Sequence, residues 1–235
     1  MSGKTYLPSE EFSNNAVLQE NEFNSMHGQF NEDPEEFWRQ QGHRLNWIKG
    51  YSKVKNVDFS FPHVSIKWFE DGVLNICENC VDRHLEAKGN DTAIIWEGDE
   101  PTDSKFITYN ELHKNVSKLA NSYKALGVRK GDRIIIYMPM IPEAAYAMLA
   151  SARIGAIHSV VFAGFSPDAL SARIQDCEAS LVITADEAPR GGKVTPLKLN
   201  VDQALKDLKG VKTIVVSRTG SSVPMLSGRD YRYED

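Results

Sequence analysis

The residues best suited to chemistry lie in Arg190-Gly191-Gly192-Lys193, a segment that follows the apolar run Leu181-Val182-Ile183-Thr184. Two cations flank two glycines in a loop leaving what reads as a buried strand. Glycine permits close backbone approach, and Arg and Lys supply charge-assisted donors, so the loop suits an anionic, phosphate-bearing ligand. It is not a Walker A element: position 187 is Glu where the first Gly belongs, and Val194 stands where Ser or Thr would follow the Lys. Nor does a Gly-x-Gly-x-x-Gly run follow the first strand of the alternating region. On spacing alone a plain turn with solvated charges is the favoured alternative.

Other constellations offer less. There is no Gly-x-Ser-x-Gly elbow, and His27, His43, His63, His84, His113 and His158 are scattered with no His-x-x-x-His pair. His158 falls in an apolar run and reads as a core histidine. Cys77, Cys80 and His84 share one face of a predicted helix but lack a fourth ligand, so the cysteines read as small buried apolar side chains. The acids Glu97, Asp99 and Glu100 read as a solvated turn. No residue stands out as a general acid or nucleophile, so the catalytic set is expected to be empty here, as is any metal set.

Composition narrows the class. The 235 residues have a net charge of −5, which disfavours nucleic acid as a partner. No apolar run approaches the roughly 20 residues of a membrane span, so no membrane partner is expected. The first residues contain no apolar signal core, and three cysteines make no disulfide framework; both fit a cytoplasmic location.

The elements that must position the loop can be read along the chain. Residues 1 to about 30 are polar and read as a peripheral arm or partly ordered tail. Asp33-Pro34-Glu35-Glu36 starts a helix predicted to reach Ile48, with Phe37, Trp38 and Trp47 packing it onto a larger body. A second helix is predicted over Val73–Ala87. Short strands at 92–97 and 105–108 precede Thr108-Tyr109-Asn110-Glu111, a capping box opening a helix that Gly127 ends. Strands at 133–138, 157–162, 181–184 and 212–216 then alternate with helices starting near Pro142, Ser166 and Pro196. Residues 220–235 carry no trusted signal. The expected fold is α/β: a mostly parallel sheet with helices on both faces, preceded by a helical N-terminal arm. Its expected division is 1–90 for the arm and helices and 91–235 for the parallel subdomain.

In such a sheet ligands bind beyond the carboxyl ends of the strands. That edge gathers the loops 139–142, 163–166, 186–193 and 217–220. Phe162 or Phe165 offers an aromatic face, Gly164 offers close approach, and Arg190 and Lys193 offer charge.

An ordered set of segments then resembles a known family. It comprises Val64-Ser65-Ile66-Lys67-Trp68-Phe69-Glu70-Asp71-Gly72, Cys80-Val81-Asp82-Arg83-His84-Leu85, Ile107-Thr108-Tyr109-Asn110-Glu111-Leu112 and Lys130-Gly131-Asp132-Arg133. Met138-Pro139-Met140-Ile141-Pro142-Glu143, Ala156 to Ser166, and Arg190-Gly191-Gly192-Lys193 continue it. Together they look like the N-terminal portion of the acetyl-coenzyme A synthetases, acyl-adenylate-forming ligases. The resemblance implies activation of acetate with ATP and magnesium, release of pyrophosphate, and transfer of the acetyl group from AMP to coenzyme A. It implies that Arg190, Gly191, Gly192 and Lys193 match the coenzyme A segment and that Phe162, Ala163 and Gly164 flank the adenine. Some relatives have Arg at the Lys193 position; Lys keeps the charge without the planar fork. The family's Ser/Thr/Gly-rich phosphate loop, acyl-pocket tryptophan, magnesium carboxylate and adenylation lysine have no counterpart in these residues. The expectation is therefore an N-terminal piece of a longer ligase, inactive alone, whose ATP and magnesium sites lie in the rest of the polypeptide. A propionate or other short-acyl ligase, and a non-catalytic nucleotide-binding or interaction module, are the alternatives.

Overall fold

Helix caps and apolar periods set the elements, seen in a computed structural model that describes residues 6–100 and 102–235. The chain divides into two units, residues 1–74 and 75–235.

The first unit opens with helices α1 (Glu10–Asn15) and α2 (Glu20–Glu32), neither of which buries a residue. Local capping explains them: Ser9 accepts from the Phe12 amide at 3.2 Å, and Gln19 and Glu22 satisfy each other's backbone reciprocally. The tail expected there is thus helical. Asp33 caps α3 (Pro34–Gly42), accepting from the Glu36 amide at 3.0 Å. This helix stops short of Ile48. The Trp47 indole donates to the Gly42 carbonyl at 2.8 Å, and its ring lies against Tyr51 and Phe69 at 5.0 and 5.5 Å. Aromatic packing therefore outweighs another helical turn. Strands β1 (Lys53–Asp58) and β2 (Ser65–Glu70) pair antiparallel, and Trp38 of α3 meets Trp68 of β2 edge-on at 5.9 Å.

The second unit begins where one helix was predicted over 73–87, and it breaks. Asn75 accepts from the Cys77 and Glu78 amides, so α4 (Ile76–Cys80) starts after it. Val81 leaves helical geometry and is fully buried; a 3₁₀ turn at Asp82–His84 and α5 (Leu85–Lys88) follow. Cys77 is buried but Cys80 is exposed, so only the first behaves as the core residue expected of both. Strands β3 (Thr92–Glu97) and β4 (Ser104–Thr108) form a hairpin. The capping box of Thr108 and Glu111 forms as read and opens α6 (Tyr109–Ala125). Its stripe of Leu112, Val116, Leu119, Ala120 and Tyr123 is buried, and Gly127 follows at φ 94°.

Then come β5 (Arg133–Met138), α7 (Pro142–Ile154), β6 (Ile157–Phe162), α8 (Pro167–Asp176) and β7 (Leu181–Ala185). A short hairpin, β8 (Ala188–Arg190) and β9 (Lys193–Thr195), precedes α9 (Leu197–Ala204), β10 (Lys212–Val216) and β11 (Asp230–Arg232). Among the described residues five strands form a parallel sheet in the order β11-β10-β7-β5-β6. The chain steps from β5 outward to β6, then back past β5 to β7 and β10. With right-handed crossovers this reversal sends α7 to one face and α8 and α9 to the other. The packing agrees, since α6 lies on α7 and α8 on α9. The two central strands β5 and β7 hold the core, with Ile134, Ile135, Leu181, Val182 and Ile183 fully buried. Each such side chain contributes on the order of 1.5–3 kcal/mol.

Two features depart from the sequence reading. Strand β11 lies in the stretch without a trusted signal, because its alternation of Asp230, Tyr231 and Arg232 is too short and charged to read. Asp230 explains its docking: it pairs with the fully buried Lys198 Nζ at 3.0 Å and with Arg229 Nε at 2.6 Å. His158 is exposed rather than a core histidine, since β6 is an edge strand that leaves Ile157, Val160 and Phe162 more than half exposed.

Candidate functional site

A cavity of about 710 Å³ opens at the carboxyl ends of β5 and β6, beside the reversal in strand order. Met138, Val160 and Phe162 end the strands beneath it, and Pro139, Met140 and Ile141 follow from β5. Pro189, Arg190 and Thr195 come from the β8–β9 hairpin, and Arg218 from the loop after β10. All four strand-end loops singled out in the sequence thus contribute. Trp96, Glu97 and Asp99, read as part of an outlying strand and a solvated turn, line it too. Their hairpin is tied down by the Trp96 indole, which donates to the Met140 carbonyl at 2.7 Å.

Phe162, Ala163, Gly164 and Arg190 line the cavity; Gly191, Gly192 and Lys193 do not. Those three form the hairpin's tip. Gly191 and Gly192 have φ of 55° and 73°, the paired left-handed conformation that a two-residue hairpin turn of the primed type requires. A Cβ on either would meet no atom within 4 Å, so the need for glycine is conformational. The turn brings Arg190 and Lys193 directly opposite each other across the ladder. Like charges so placed are mutually destabilising, and among the described residues neither cation has an ion-pair partner. Arg190 instead lies over the Phe162 ring, 5.7 Å from its centroid.

The turn that presents Phe162 is held from below. Tyr137, on β5, has its hydroxyl 3.0 Å from the Ala163 carbonyl and 2.8 Å from that of Phe165, and accepts from Asn200 Nδ2 of α9 at 3.1 Å. Burial raises the Tyr137 pKa, with the Asn200 bond opposing it in part, so the hydroxyl remains a donor. Gly164 has a steric role: a Cβ there would sit 2.5 Å from Phe162 Cε1.

Sequence reasoning missed Asp186. This buried carboxylate accepts from the amides of Glu187 (2.7 Å), Arg218 (2.8 Å), Thr219 (3.2 Å) and Gly220 (3.0 Å). It welds the exit of β7 to the exit of β10. The available signal was an acid directly after a buried strand, paired with a Thr-Gly step after the next one.

A second cavity, of about 550 Å³, carries Lys124, Arg129, Lys130 and Arg153 near the start of β5. Lys124 and Arg153 fall in the last turns of α6 and α7, where cations complement the helix dipole, and Arg153 is paired with Asp82 at 2.6 Å. That accounts for much of its charge. Among the described residues no group of three or more His, Cys, Asp or Glu side chains could hold a metal ion. No helix there is long and apolar enough to cross a membrane.

Comparison with known proteins bears on this geometry. Residues 23–80 match the family described as acetyl-coenzyme A synthetase N-terminus. Over its whole length the chain is 53% identical to acetyl-coenzyme A synthetase of Methylocella silvestris and 55% identical to that of Parvibaculum lavamentivorans. It spans only 37% and 36% of the length of these curated relatives. Among solved structures, acetoacetyl-CoA synthetase from Streptomyces lividans superimposes with a TM-score of 0.76 at 26% identity, over 86% of this chain and 31% of that one. The model of the AMP-binding enzymes matches residues 81–231, which hold the parallel sheet except for the last residue of β11, and every residue of the larger cavity. With more than half its length so matched, the chain belongs to the AMP-binding enzyme family.

Proposed function

We propose that this chain is the N-terminal part of an acetate–coenzyme A ligase of the AMP-forming type, and that the cavity at the ends of β5 and β6 receives the nucleotide portion of coenzyme A. In the whole enzyme, ATP and magnesium would activate acetate as acetyl-AMP, and the thiol of coenzyme A would accept the acetyl group. The observation that carries this reading is the placement of Arg190 and Lys193 opposite each other, without ion-pair partners among the described residues, with Arg190 over the exposed ring of Phe162. A phosphate-bearing purine answers both needs: charge for the cations and a flat apolar face for the ring. The names of the relatives support the same ligand. In this reading Arg190 contacts phosphate from the cavity wall and Lys193, at the hairpin tip outside the lining, contacts phosphate at the cavity's rim, while Phe162, Ala163 and Gly164 flank the adenine. The parallel subdomain, residues 91–235, is then an incomplete part of a larger domain, and the rest of the ligase supplies the reacting groups.

Titrating the chain with coenzyme A tests the site. Arg190→Gln should weaken binding about tenfold, the loss of one charge-assisted contact, and Lys193→Gln somewhat less. Unchanged affinity in both variants would sink the assignment. The chain alone should catalyse no acetate-dependent exchange of pyrophosphate into ATP; measurable exchange would place reacting groups within these residues after all.

A further inference from the structure

We propose that Arg218 is a second cation of the cavity, set by Asp186 to contact a phosphate group of the bound nucleotide. This rests on the reading of the cavity as the coenzyme A nucleotide site and extends it to a residue from a different loop. Arg218 repeats the arrangement of Arg190. Its guanidinium carbon lies 5.2 Å from the centroid of the Trp96 ring, as that of Arg190 lies 5.7 Å from the centroid of Phe162, and all four residues line the cavity. Stacking on an aromatic face holds a guanidinium plane while leaving its edge available for two parallel bonds to an oxyanion. One Nη of Arg218 bonds Asp103 at 2.9 Å; among the described residues its other two guanidinium nitrogens have no protein partner. The backbone beneath is fixed: the Arg218 amide donates to Asp186 Oδ1 at 2.8 Å, and the next two amides also end on that carboxylate. Asp186 is thus a positioning residue and Arg218 the contact.

The competing account makes Arg218 a strut joining the β10 exit to the β3–β4 hairpin through Asp103. The two accounts separate on Asp103→Asn. If Arg218 is a strut, removing either end of the ion pair has the same consequence. If it is an anion contact, Asp103 competes with the ligand for the same guanidinium, and neutralising it helps.

Calorimetric titration of the 235-residue chain with adenosine 3′,5′-bisphosphate and with adenosine distinguishes them, with thermal unfolding measured alongside. Arg218→Gln should weaken the bisphosphate about tenfold and leave adenosine within about twofold; Asp103→Asn should tighten the bisphosphate about two- to threefold. Bisphosphate binding by Arg218→Gln at wild-type strength would overturn the proposal. So would a shift of both variants in the same direction, or equal loss of adenosine and bisphosphate in Arg218→Gln. Should Arg190→Gln weaken binding while Arg218→Gln does not, the coenzyme A reading survives and this inference alone fails. Should the wild-type chain bind neither ligand, both fall together.

Discussion

At the scale of single residues, the candidate site depends on side chains held at fixed attitudes by neighbours that touch no ligand themselves. Phe162 is the clearest case. Its ring is more than half exposed, yet it is placed by Tyr137 gripping the following turn and by the missing Cβ of Gly164. Gly164→Ala should force the ring aside, because a 2.5 Å approach is far inside van der Waals contact. The ring lies at the surface, where it can be displaced without opening the core, so the expected cost falls on binding: about tenfold weaker coenzyme A affinity with little change in unfolding temperature. A large thermal loss with unchanged affinity would show that Gly164 serves the fold instead. Tyr137→Phe makes the complementary case, leaving the Asn200 amide and two carbonyls without the hydroxyl. It should lower stability by about 1–3 kcal/mol in chemical denaturation and weaken coenzyme A as well.

At the scale of elements, local chemistry decides most of what forms. Thr108 with Glu111, Ser166 before Pro167, and Gly127 after α6 were all legible because caps act within a few residues of themselves. Strands β5, β7 and β10 were legible because central parallel strands must be apolar on both sides. What escaped depended on distant partners. The three-residue β11 exists through Lys198, some thirty residues earlier in the chain. The break after Cys80 reflects the burial of Val81 and the pairing of Asp82 with Arg153, which no local period reveals. The glycine pair in the Arg190–Lys193 segment was legible as a turn, but the antiparallel ladder on either side was not: Pro189 and Val194 form too short a run. Of the site, the strand-end loops could be read from alternation alone, whereas the contribution of Trp96 and the clamp by Asp186 could not. Asp186 is where an element-scale prediction is strongest. Asp186→Ala strips the acceptor from amides after both β7 and β10, and should cost about 1–3 kcal/mol, since the lost acceptor is buried while its donors are half-buried or exposed to water. Hydrogen exchange should show residues 217–220 losing protection while the strands beneath keep theirs; uniform loss would mean that the carboxylate stabilises the sheet as a whole.

For the whole molecule, the two edges of the parallel sheet are finished in opposite ways. The β6 edge is long and apolar, while the β11 edge is short and charged, as exposed edges that avoid further pairing tend to be. Closing the β11 edge depends on one buried ionic cluster, which ties the unit's stability to pH. Burial alone would raise the Asp230 pKa, but the Arg229 hydrogen bond, the Leu226 amide and Lys198 outweigh it and hold the carboxyl below its ordinary range. The sign follows from linkage. A carboxyl whose pKa is lower in the folded than in the unfolded state stabilises the fold fully above the unfolded value of about 3.9, and that stabilisation is lost as pH falls through the lower folded value. Asp230→Asn should remove this acid-sensitive share and one of the two carboxylates that hold the buried Lys198, which keeps Asp202 at 2.6 Å, with a loss of about 1.5–3 kcal/mol at neutral pH. Urea midpoints measured from neutral pH to about 2 should therefore fall more steeply for the wild type than for Asp230→Asn below pH 4, the two curves converging at the acid end. Parallel curves across that range would show that the cluster docks β11 by shape and hydrogen bonding, without a net contribution from its charge.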